Sequence, residues 1–199
     1  MARFATSLRW PLIGLAALFL AGCGAMTAQN PDGSLSPVNA IATDTDDHLM
    51  LFGADVVAYF TEGRYVQGTS EYASEFEGVD FHFASAENKA QFDADPAAYI
   101  PQYGGYCANG IAFGIPWGGN AEDFLVHDGK LYIFGGALSK QAFLLDLDGN
   151  LELSEKYWSE EVKDSNSFWQ RAKRLVMRVP HYHSGEEQAE AVKAARAGS

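Results

Sequence analysis

Between Tyr72 and Phe83 the chain alternates. Tyr72, Ser74 and Phe76 share one phase, Glu77-Gly78 interrupts, and Val79, Phe81 and Phe83 take up the alternation again. Two period-2 runs around a glycine-containing turn predict a β-hairpin. Asp80 and His82 then point away from the apolar face of the second strand. A second hairpin is predicted where Phe124–His127 and Lys130–Phe134 flank Asp128-Gly129, a dipeptide suited to tight turns because both central positions need positive φ.

Helical signals fill the intervals. Residues 55–60 after Gly53 predict a short helix, with a strand as the alternative, Ser85 is placed to cap a helix over 86–93, and Asp95-Pro96 starts another. Asn120 followed by Asp123 resembles a cap with an acidic partner. Residues 139–145 also read as helical. From Ser154 onward Trp158, Val162, Ser165, Trp169, Ala172 and Val176 recur every third or fourth residue. That period predicts one long amphipathic helix over 155–178, with Asn166 weakening its middle, Val179-Pro180 ending it, and both tryptophans facing inward. Residues 186–197 are expected to fray or dock loosely. The sum is an α+β fold: small antiparallel hairpins packed with short helices and a long C-terminal amphipathic helix.

The start of the chain has a different pattern. Arg3 and Arg9 precede the apolar run 10–20, which is short for a membrane span, and Leu20-Ala21-Gly22-Cys23 follows. Small residues before a cysteine at that place resemble the lipobox of bacterial lipoproteins. The resemblance implies a signal peptide over 1–22 and lipidation of Cys23 by acyl chains such as palmitate. With Gly24 next, it implies an anchor in the outer membrane facing the periplasm. Residues 23–45, rich in Asn, Asp, Ser, Thr, Gly and Pro, read as a tether.

Charge and cysteine content narrow the chemistry. The 26 acidic residues against 14 Lys and Arg give a net charge of −12, which excludes binding nucleic acid through bulk electrostatics. Of the two cysteines, Cys23 is assigned to lipid, so Cys107 is left as a lone thiol without an internal disulfide partner. The spacing of Asp146, Asp148 and Asn150 fails as a calcium loop, since Leu151 and Tyr157 stand where glycine and glutamate are needed.

The central block resembles the YHS domain family. The residues that carry the likeness are the run 54–63, the run 78–88 with His82, then Phe92, Asp95-Pro96, Tyr99 and the segment 101–108 with Gly104-Gly105-Tyr106-Cys107. Asp128-Gly129-Lys130-Leu131-Tyr132 extends the likeness to the longer, exported form of that family. The resemblance implies a YHS-like domain over 46–150, followed by a helical extension over 151–180 and a polar tail over 181–199. Short members look like metal-binding modules that hold copper or similar ions through cysteines, and Ala58, Ala84 and Asn88 stand at those cysteine positions here.

Three functions stay open at this point. A metal-handling module would use His82 and Cys107, with His127 as the preferred third ligand over Asp80 and His48, and would take copper or zinc. A non-catalytic interaction or scaffold domain would have kept the fold and lost the ligands, with an envelope protein as partner. A cysteine-dependent enzyme, pairing Cys107 with His82 or His127, comes last, and no catalytic activity is expected.

Overall fold

The computed structural model describes residues 40–42 and 48–198. The expected signal peptide, the expected lipidation site at Cys23 and most of the segment read as a tether lie outside the described residues. β1 (Ala40–Ala42) falls inside the segment read as tether and pairs antiparallel with β2 (His48–Met50). A 3₁₀ turn leads to α1 (Ala58–Thr61), then to the hairpin of β3 (Thr69–Phe76) and β4 (Val79–Phe83). β4 lies between β2, parallel to it, and β3, antiparallel to it. Glu77 and Gly78 have φ of 54° and 73°, so the turn has the conformation that glycine-containing hairpin loops favour.

After β4 come α2 (Ala86–Ala94), α3 (Pro96–Tyr99) and α4 (Ala108–Ile111). Ser85 Oγ accepts from Asn88 N at 3.1 Å, and Pro96 occupies the first turn of α3, as the sequence predicted. The second hairpin joins β5 (Asn120–His127) to β6 (Lys130–Phe134). Asn120 therefore begins a strand rather than capping a helix. Its carboxamide donates to Asp123 Oδ2 at 2.7 Å across an irregular stretch of the ladder.

β6 is where the two halves of the interior meet. Leu131 and Ile133 join Val56, Tyr59, Phe81, Phe83 and Phe92 beneath the four-stranded sheet. Tyr132 and Phe134, on the opposite face, join Tyr103, Tyr106, Ile111 and Phe143. The Tyr59 hydroxyl also donates to Ala121 O at 2.7 Å, binding α1 to the second hairpin.

The C-terminal third departs from expectation. Helix α5 (Ala137–Leu144) and helix α6 (Leu147–Tyr157) are followed by a π-turn at Trp158–Val162, and the helix then ends. Lys163 is extended (ψ 137°), Asp164 has φ +62°, and Asn166 caps a new helix, α7 (Ser167–Val176), by accepting from Phe168 N and Trp169 N at 3.1 Å. The single helix over 155–178 is thus two helices with a break between them. The break rotates the second helix: Trp158 still packs against the core, while Trp169 is 69% exposed. The final helix α8 (Gly185–Ala197) is also firmer than expected. Ser184 and Glu187 form a reciprocal capping box, Val192 is buried, and Gln188 accepts from Asn109 Nδ2 at 2.7 Å. No helix among the described residues is long and apolar enough to cross a membrane.

Candidate functional site

The three positions where the resemblance places cysteines surround one buried side chain, Asp55. Its carboxylate is fully enclosed. Oδ1 accepts from the amides of Val57 at 3.0 Å and Ala58 at 3.2 Å, where the chain turns into α1. Oδ2 accepts from Ala84 N at 2.8 Å, just past the end of β4, and from Asn88 Nδ2 at 2.7 Å, in the first turn of α2. Two alanine methyls and one carboxamide therefore stand in place of three thiolates. The carboxylate joins α1, β4 and α2, and its two oxygens are occupied by four donors. A buried anion is tolerable only when hydrogen-bonded in this way.

His82 lies two residues before Ala84 of this knot, half-buried on the polar side of β4 and paired in register with Ala73. Its neighbours are glycines. A Cβ on Gly53 would come within 3.2 Å of His82 Nδ1, and one on Gly68 within 2.5 Å of the His82 carbonyl oxygen, so Gly68 permits the backbones to cross at close range.

Cys107 is buried at the entrance to α4 and forms an isolated parallel bridge with Ile133 of β6. Its Sγ and Ser139 Oγ are 3.2 Å apart, and Asn109 Nδ2 donates to the same hydroxyl at 3.2 Å. These groups border a cleft of about 380 Å³, with Trp117, Gly136 and Gln188 on its other sides. The thiol's hydrogen-bond partner is therefore a hydroxyl, and no imidazole joins this cluster. His127 lies at the turn end of β5, where Nε2 is 3.5 Å from Asp128 Oδ2. It pairs with Lys130, three residues before the Ile133 that bridges Cys107, about 10 Å by strand rise. The fold thus gives His82, Cys107 and His127 three different sets of neighbours. Among the described residues no three His, Cys, Asp or Glu side chains are grouped closely enough to hold a metal ion.

Residues 57–103 match the YHS domain family. The YHS match takes in Ala58, His82, Ala84 and Asn88 and stops before Cys107 and His127. No curated protein and no solved structure matches the chain.

Sequence reasoning passed over Asp55. The local half of its role carried a signal, an aspartate three residues before the first residue of a short helix, which is a familiar arrangement for accepting helix-start amides. The other half joins residues 29 and 33 positions away and has no local pattern.

Proposed function

We propose that this chain is a non-catalytic YHS-like interaction or scaffold domain, carried at the cell envelope by a lipid on Cys23. The observation that supports this reading is the enclosure of Asp55: the positions that resemble a thiolate set supply donors and methyls to a carboxylate whose lone pairs are already engaged. A soft ion entering there would meet neither thiolate nor an open oxygen. What remains is a stable platform on which surface elements are displayed.

Two measurements test the reading. Native mass spectrometry and thermal unfolding of the processed chain, with Cu(I) under reducing conditions and with Zn²⁺, should show no stoichiometric adduct and no rise in Tm. A ligand held by the folded state would raise it by mass action. One tightly held ion, lost in a His82→Ala/Cys107→Ser variant, would restore the metal-handling reading. Separately, mass analysis of the envelope-extracted chain should give a mature start at Cys23 carrying acyl chains. An unmodified mature start at a downstream residue would remove the anchor from the proposal.

A further inference from the structure

Helix α7 is inside out. On a helix of 3.6 residues per turn, Phe168, Ala172, Leu175 and Val176 share one face, with Trp169 at its edge. That apolar face is turned to solvent: Leu175 is 72% exposed and Val176 84%. The opposite face, Ser167, Gln170 and Arg174, is the buried one. It is held by polar contacts, with Gln170 Nε2 donating to Gly114 O at 2.9 Å and Arg174 paired with Glu161. The break at Asp164–Asn166 sets this orientation, so the exposed stripe follows from how the helix is joined to the domain. Soluble proteins seldom present such a continuous apolar face unless it meets something.

The charges say what it meets. Four of the chain's 14 Lys and Arg fall between Arg171 and Arg178, and α7 contains no acidic residue, in a protein of net charge −12. Arg171 and Lys173 flank the apolar face on its two sides. Glu161, the acid that pairs with Arg174 and Lys173, packs on the buried side. Beside the helix runs a groove of about 360 Å³ lined by Ile115, Trp117, Phe168, Leu175, Arg178 and Tyr182, which widens the apolar surface and keeps a cationic rim. An apolar sector carrying an indole and bordered by cations is the arrangement of a helix that lies in a bilayer interface. We propose that α7 docks on an anionic lipid surface, with Phe168, Trp169, Leu175 and Val176 entering the headgroup region and Arg171 and Arg178 placed at the level of the lipid phosphates. The docking rests on α7 alone and does not depend on the scaffold reading.

The test uses the full chain with Cys23→Ser and an environment-sensitive fluorophore on Val176→Cys, Cys107 being buried. A second sample carries the label on Glu87→Cys, an exposed position of α2. Both are reconstituted by detergent removal into vesicles of phosphatidylcholine, either pure or with one third phosphatidylglycerol. Emission is normalised to the chain that floats with the vesicles, so the label reports α7 itself. In the anionic vesicles the label at 176 should shift to the blue and brighten several-fold, more than in neutral vesicles. Added salt should weaken the change, and Phe168→Ser/Leu175→Ser should abolish it. The label at 87 should stay unchanged. Equal emission from position 176 in both vesicle types would overturn the proposal. So would a blue shift without lipid: one that grows with protein concentration would give the face to a second copy, and one independent of concentration would give it to residues 1–39 of the same chain.

Discussion

Asp55→Ala should unfold the domain, or bring it close to unfolding, at temperatures where the parent is fully native. The substitution deletes the acceptor of four donors at once: the amides of Val57, Ala58 and Ala84 and the Asn88 carboxamide. Each buried donor left without a partner costs about 1–3 kcal/mol. Three of the four are buried, and even at the low end those three consume a sizeable share of the 5–15 kcal/mol by which a domain of this size is ordinarily stable. The loss is also structural, because the same carboxylate fixes the entry to α1 against the end of β4 and the first turn of α2. A graded series makes the claim specific. Asn88→Ala removes one donor and leaves three bonds, so it should lower the urea midpoint least. Asp55→Asn keeps one accepting oxygen but turns an NH₂ toward donors, so it should fall between. If Asp55→Ala melts within a degree or two of the parent, the carboxylate does not organise the fold.

How much of this was legible in advance depended on whether partners were local. The hairpins were legible because alternation and turn chemistry lie within a dozen residues, and Glu77-Gly78 and Asp128-Gly129 adopt the positive φ that such turns need. Ser85 and Pro96 were legible for the same reason. The C-terminal stripe misled because periodicity records which residues share a helical face and says nothing about which way that face turns. Trp158, Trp169 and Val176 do keep helical spacing, yet an αL residue at Asp164 and an Asn166 cap reset the helix between them. Afterwards the inward positions belong to Gln170 and Arg174, polar residues whose partners, Gly114 and Glu161, come from elsewhere in the chain. For the candidate site, the resemblance located His82, Ala84 and Asn88 but gave no hint that a carboxylate holds the centre. Asn120 was misread because an Asn–Asp pair three residues apart caps helices and also bridges an irregular strand.

Arg174→Met should release α7 from the domain while leaving the two hairpins intact. The guanidinium lies on the buried face of that helix. It pairs with Glu161, donates from Nη1 to Met177 O at 3.1 Å, and lies 5.3 Å from the Tyr157 ring centre. It passes over Gly114, whose φ of +69° and missing Cβ leave room for Nε. Removing one partner of a buried ion pair costs about 3–5 kcal/mol because the other charge stays behind. Here Glu161 is 22% exposed and Lys173, 2.7 Å from it, keeps part of the compensation, so the loss should fall below that range. Hydrogen exchange should show faster exchange at residues 167–176 with little change in β4 and β6. Acid should reproduce the effect in the parent. Burial alone would raise the Glu161 carboxyl, but hydrogen bonds from Lys173 and Gln170 and the charge of Arg174 outweigh it and hold the group below the usual carboxylate range. A carboxyl whose folded pKa is depressed contributes stability in full above its unfolded pKa, about 4.3, and loses it as pH falls through the lower folded value. The stability gap between the parent and Glu161→Gln should therefore be widest near neutral pH and close in acid below that point. A gap that stays constant into strong acid would mean that shape rather than charge seats α7, and that its polar face could be rebuilt with apolar residues without loss.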